Sequence, residues 1–149
     1  MQKIRITKQF NFEMAHALKD YDGPCKNIHG HSYELFVTVT GIPNTDSDSP
    51  KNGMLIDFGD LKRIVKRTIV DELDHALILN INTSSALIST LKNNFANIIL
   101  VDYQPTSENM LIDFAARLQK ELPSEIKLHS MKLRETITSF AEWYASDNE

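Results

Sequence analysis

The sequence predicts an α+β fold: an antiparallel four-stranded sheet with two helices packed on one face. Three observations lead there. Residues 4–16 and 31–39 alternate apolar and polar side chains with period two. Residues 59–73 and 106–118 carry apolar side chains at helical spacing. Residues 126–136 and 140–144 then return to strand character, so strands flank the helices instead of alternating with them.

The first strand reads Ile4, Ile6, Phe10, Phe12, Met14, His16 on one face and Arg5, Thr7, Gln9, Asn11, Glu13 on the other. The second reads His31, Tyr33, Leu35, Val37, Val39 against Ser32, Glu34, Thr38, Thr40. In both, the apolar face continues into histidine. Paired as an antiparallel hairpin, the strands bring His16, His29 and His31 to one side and one end of the sheet. Gly30 between the last two permits close approach of a backbone or a ligand. Residues 41–53 form a polar loop rich in turn residues. Asp57 is suited to cap the helix of residues 59–73, with Asp60 in its first turn. That helix ends at Asp74-His75, where an aspartate can orient an imidazole, or a histidine can simply complement the helix dipole.

Residues 81–103 are less regular. A short helix is expected over 84–92, capped by Ser84 or Thr83, and Ile98–Val101 is a short apolar strand candidate. Thr106 caps the second long helix, with Glu108 in its first turn, and Pro123 stops it. In the strand of residues 126–136 the apolar phase switches from Ile126 and Leu128 to Met131 and Leu133, which predicts a bulge near Ser130. The second phase turns Glu135 inward, where a carboxylate needs a partner or ligand; on an exposed edge it would need neither. Residues 140–144 close the sheet as an edge strand.

The chain's 149 residues suit one domain, and 42% hydrophobic with 24% charged content excludes disorder. A net charge of −4 without a basic cluster gives no reason to expect a nucleic-acid partner. No apolar run is long enough to span a membrane, and Met1–Arg5 leads straight into a strand, so neither anchor nor leader is expected. A single cysteine, Cys25, makes no internal disulfide and suits a reducing cytoplasm. Three imidazoles on one sheet face suggest zinc with an open fourth position; the alternative is a closed structural site with Cys25 as fourth ligand.

Six motifs in order carry a resemblance. They are Phe10-x-Phe12-x-x-Ala15-His16, Cys25-x-x-x-His29-Gly30-His31 and Gly53-Met54-x-x-Asp57-Phe58. Leu73-Asp74-His75-x-x-Leu79-Asn80, Pro105-Thr106-x-Glu108-Asn109 and Glu135-Thr136 complete the set. They resemble the 6-pyruvoyl-tetrahydropterin synthase and 6-carboxytetrahydropterin synthase family over most of the chain. The resemblance implies a single pterin synthase domain over 1–149, with the tunnelling fold. It implies trimeric barrels stacked as homohexamers, with sites at subunit interfaces. It implies zinc on His16, His29 and His31, proton transfer by Cys25, Asp74 and His75, and pterin binding by Glu135, with Glu108 and Thr106 in the substrate site.

The spacing from Cys25 to His29 is similar to the carboxytetrahydropterin branch, which serves queuosine and other deazapurines. The implied reaction converts 7,8-dihydroneopterin triphosphate to 6-carboxy-5,6,7,8-tetrahydropterin, releasing acetaldehyde and triphosphate. The pyruvoyl branch, with triphosphate elimination alone, is the alternative. The chain departs from the family pattern at Met14, at Gln104 and in the length of residues 81–103, and none of these removes a metal ligand.

Overall fold

A computed structural model describes residues 1–149. Its frame is the hairpin of β1 (Ile4–His16) and β2 (His29–Gly41). The two run antiparallel without interruption from Ile4 opposite Gly41 to His16 opposite His29. Because side chains alternate along a strand, Phe10, Phe12 and Met14 of β1 share a buried face with Tyr33, Leu35, Val37 and Val39 of β2. Gly30 lies opposite Ala15, where a Cβ would stand 3.2 Å from the Met14 carbonyl oxygen.

The buried face is covered by helices. α1 (Phe58–Val65) continues through a π-turn, Lys66–Val70, into the short α2 (Asp71–Leu73), together filling the span expected for the first helix. Asp57 caps α1, its carboxylate accepting from the Gly59 N–H at 2.6 Å. A side chain at residue 59 would crowd that carboxylate at 2.9 Å, so the cap favours glycine there. Leu61, Val65, Ile69, Val70 and Leu73 face the sheet. α3 (Ser85–Asn94) lies where the short helix was expected and buries none of its residues. α4 (Ser107–Glu121) packs Met110, Leu111, Phe114, Ala115 and Leu118 inward. Its cap is Thr106, whose hydroxyl accepts from the Asn109 N–H at 3.3 Å. These side chains and the sheet's inner face make one core cluster of 23 buried residues. No helix is long and apolar enough to cross a membrane.

The sheet corrects the sequence-based expectation of four antiparallel strands. It is mixed and has six, in the order β4-β3-β1-β2-β5-β6. β5 (Lys127–Thr136) and β6 (Ser139–Tyr144) extend it antiparallel from β2, as expected. On the other side β3 (Ala76–Asn80) runs parallel to β1, and β4 (Ile98–Val101) runs parallel to β3. Both are short apolar runs lacking the alternation that marks a half-exposed strand. Two parallel neighbours need a crossover connection, and the segment containing α3 supplies it, which accounts for the length of residues 81–103.

β5 bulges twice. Against β2 its register shifts between Ser130 and Leu128, so His129 is the extra residue, next to the position predicted. Against β6 it shifts between Arg134 and Thr136, so Glu135 has no partner across the strand pair. A bulge re-aims the side chain it carries.

Candidate metal centre

The hairpin ends where the apolar face runs out, and three imidazoles occupy that end. His16 closes β1 opposite His29, and His31 lies opposite Met14. The ring centroids stand 4.6, 5.0 and 5.3 Å apart, and one nitrogen from each ring falls within 4.8 Å of the others. His16 is only 2% exposed. Beneath the rings Tyr33 is packed edge-on to His16 and His31 and stacked on Phe12.

Hydrogen bonding fixes which nitrogens are free. The His16 Nδ1–H donates to the Pro105 carbonyl at 2.7 Å, and the His29 Nδ1–H donates to the Asn27 carbonyl at 2.7 Å. In both rings the Nε2 therefore carries a lone pair, and the two Nε2 atoms face each other at 3.1 Å. Two acceptors at that distance repel unless a cation lies between them. Nε2 of His31 is buried without a hydrogen-bond partner, 3.5 Å from a Glu135 carboxylate oxygen. Burial holds the pKa of both His16 and His31 below the usual histidine value, which favours the neutral, metal-binding form.

Each of these features suits a metal ion. Tetrahedral nitrogen ligands at about 2.0–2.1 Å from an ion stand about 3.4 Å from one another, close to the 3.1 Å between the Nε2 atoms of His16 and His29. A ligating imidazole that gives its second N–H to a carbonyl has its tautomer and orientation set. The residues thus fit an ion held by His16, His29 and His31. Cys25 is not among the converging ligand atoms, so the expected alternative of a closed Cys-His₃ shell finds no support in the geometry.

Beside the imidazoles lies a cleft of about 320 Å³, lined by His16, Cys25, Thr106, Ser107, Glu108 and Glu135, among others. Cys25, half-buried on the turn Pro24–Lys26, carries a free thiol. The bulge at Glu135 turns its carboxylate to this side, where one oxygen accepts from the Ser107 hydroxyl at 2.8 Å. Burial raises the pKa of Tyr33, and the Glu135 charge adds to the effect, so the phenol stays protonated. Thr106 and Glu108 reach the same cleft from the N-terminus of α4. The arrangement can bind a metal ion, hold a polar planar ligand by a carboxylate, and present a thiol to it.

Asp74 and His75 lie elsewhere. They precede β3 on the far side of β1, where His75 lines a shallow depression with Glu13, Gly30, His31 and Ser32. The His75 Nδ1 stands 3.1 Å from the Asp74 carboxylate, so the neighbours do interact. His75 is in the left-handed region, with φ +63°, a conformation costly outside glycine. Its N–H donates to the Glu13 carbonyl at 2.6 Å, and the Glu13 N–H donates to the Asp74 carboxylate at 2.9 Å. That backbone N–H, helped by His75, lowers the Asp74 pKa. The His75 side chain is 77% exposed, and within one chain the pair does not share the cleft with Cys25.

Three contributors went unread in the sequence. Pro105 serves through its carbonyl, which no side-chain pattern reports. Tyr33 looked like one more apolar residue of β2. Ser107 was the unassigned position between Thr106 and Glu108, and only the bulge that turns Glu135 toward it reveals its use.

Comparison with known proteins identifies a family and a shared fold. A family model described as 6-pyruvoyl tetrahydropterin synthase matches residues 5–146. A protein of Haemophilus influenzae named 6-carboxy-5,6,7,8-tetrahydropterin synthase is 38% identical over 142 residues, covering 94% of this chain and 98% of its own length. A protein of the same name from Synechocystis is 32% identical, covering 94% of this chain and 92% of its own. Among solved structures, an uncharacterized protein from Wolinella succinogenes superposes with a TM-score of 0.74 at 21% identity, covering 97% of this chain and 99% of its own. The 6-pyruvoyl tetrahydropterin synthase of Caenorhabditis elegans gives 0.66 at 24% identity, with 97% of each chain covered.

Proposed function

Because the chain belongs to the 6-pyruvoyl tetrahydropterin synthase family, we propose that it is a zinc-dependent lyase acting on 7,8-dihydroneopterin triphosphate. Its products are 6-carboxy-5,6,7,8-tetrahydropterin, acetaldehyde and triphosphate, a supply for queuosine and related deazapurines. The carboxy product is favoured by the names of the relatives at 38% and 32% identity. The observation that carries the reading is the convergence of three bare imidazole nitrogens beside a cleft holding a thiol and a carboxylate.

His16, His29 and His31 hold the ion. Zinc, when bound, supplies Lewis acidity toward oxygens of the substrate side chain. Glu135 accepts two hydrogen bonds from the amino group and ring N–H of the pterin, a bidentate fit that sets the ring plane. Ser107 keeps that carboxylate in place. Thr106 and Glu108 border the same ligand. Cys25, as thiolate, moves a proton on one face of the side chain.

Asp74 and His75 serve the opposite face, and because they lie apart from Cys25 in one chain, a neighbouring copy supplies them. The reading therefore includes a homohexamer, two stacked trimers, with each cleft completed at a subunit interface. A free thiol fits a reducing cytoplasm.

The test is incubation of the zinc-loaded protein with 7,8-dihydroneopterin triphosphate and analysis of the products. Acetaldehyde and the 6-carboxy pterin in equal amounts are expected. A pyruvoyl product without acetaldehyde moves the chain to the other branch of the family. No consumption of substrate by metal-loaded protein overturns the proposal.

A further inference from the structure

We propose that Gln104 is a positioning residue whose side-chain amide fixes the loop carrying Cys25 against the three-histidine cluster. The Gln104 Nε2 donates to the Lys19 carbonyl at 2.6 Å, and the Lys19 N–H donates to the Gln104 Oε1 at 3.0 Å. The amide thus pairs with a peptide as a neighbouring strand would, satisfying donor and acceptor together. The contact joins segments 85 residues apart.

The loop between β1 and β2 has little else to hold it. The Leu18 N–H donates to the Cys25 carbonyl at 2.9 Å, which ties the thiol's residue to the one next to Lys19. The other hydrogen bonds of residues 18–27 stay within the loop or reach only the His29 ring. Asp20 has a left-handed backbone, φ +59°, a conformation that aspartate adopts more readily than most residues. Gln104 is therefore the one residue outside the hairpin that hydrogen-bonds this loop.

The anchor is itself fixed. The Gln104 carbonyl accepts from the Asn109 side-chain amide at 3.0 Å and from the Thr106 N–H at 2.7 Å, which pins it to the start of α4. The next residue, Pro105, has a restricted φ and gives its carbonyl to the His16 ring. Two adjacent residues thus set the frame for a metal ligand, the thiol loop and the helix N-terminus that holds Glu135. Sequence separation hides the connection: His16, Cys25 and Gln104 share no motif, and a glutamine before a proline reads as a loop residue.

The role of the loop rests on the reading of Cys25 as a proton-transfer group, but the clamp can be tested without turnover. Gln104→Met keeps most of the volume and removes both hydrogen bonds. Gln104→Asn keeps the amide and is one methylene too short to make both, a second variant should methionine disturb folding. In zinc-loaded full-length protein, hydrogen exchange across residues 17–28 is expected to quicken about tenfold or more, while the β1–β2 ladder and zinc content stay unchanged. With 7,8-dihydroneopterin triphosphate, kcat is expected to fall about tenfold or more and KM to stay within about twofold, since the pterin contacts are untouched. Unchanged exchange in the loop overturns the clamp. Faster exchange with unaltered kcat overturns the positioning role. If the unsubstituted protein consumes no substrate, the proposed reaction fails separately. The lone cysteine's alkylation by iodoacetamide then reports its position, severalfold faster for a released loop and unchanged if Gln104 does not hold it.

Discussion

At Glu135 a single inserted residue decides what a carboxylate can do. The β-bulge removes it from the strand ladder, and Ser107 and His31 receive it. In Glu135→Gln the shape remains, the charge goes, and an amide NH₂ faces the ring donors. Charge-assisted hydrogen bonds are worth roughly 1.5–3 kcal/mol, so pterin affinity should fall about tenfold to a hundredfold. Zinc content should hold, because Glu135 is not a ligand. Calorimetric titration with pterin and metal analysis read the two quantities; unchanged affinity would shift the pterin contact to Glu108. The imidazoles make a pH prediction for chelator-treated protein. Burial lowers the folded-state pKa of His16 and His31, while the unfolded chain's histidines titrate near 6.5. Between those values the unfolded chain binds more protons, so stability rises with pH. The stability is present above about pH 6.5 and lost as pH falls through the folded pKa. Melting scans of the metal-free protein from pH 8 to 5 should show that decline, and a flat profile would mean the rings are not desolvated.

Among the elements, the hairpin was legible because one face is buried from Phe10 to His16 and from Tyr33 to Val39, so alternation persists to His16 and from His31. The same alternation foretold the convergence of the imidazoles. The long helices were legible from spacing and caps. β3 was not: Ala76–Asn80 is a short apolar run directly after a helix, and only parallel pairing to β1 makes it a strand. The bulge at His129 left a phase switch in the sequence, whereas the one at Glu135 falls at the strand's end, where no further alternation reveals it. Likewise, the separation of Asp74-His75 from Cys25 follows from the pairing of β3 with the edge of β1, which adjacency in a motif does not tell. The caps give an energetic test at this scale. Asp57→Ala removes the acceptor of the Gly59 N–H and should cost about 0.5–2 kcal/mol. A shift of a few degrees in melting temperature follows, with zinc binding unaltered. No shift would mean that water replaces the cap without loss.

For the molecule as a whole, the demand is the separation of Cys25 from Asp74-His75, the groups proposed for proton transfer, which the proposed assembly answers by pairing clefts between copies. Cys25→Ser and His75→Ala should each abolish turnover alone. Unfolded together and refolded as a mixture, they should regain up to about a quarter of the intact sites, because some interfaces join an unaltered Cys25 to a partner's unaltered His75. No recovery would mean that each chain works with its own pair. The claim beneath all of this is an open metal site made by three imidazoles at the end of one hairpin. X-ray absorption at the zinc edge of the loaded, ligand-free protein tests it most directly. The account predicts one zinc per chain with three imidazole nitrogens and one further light atom at about 2.0–2.1 Å. A sulfur neighbour at about 2.3 Å would contradict it, since Cys25 would then close the shell and leave no position for a substrate oxygen.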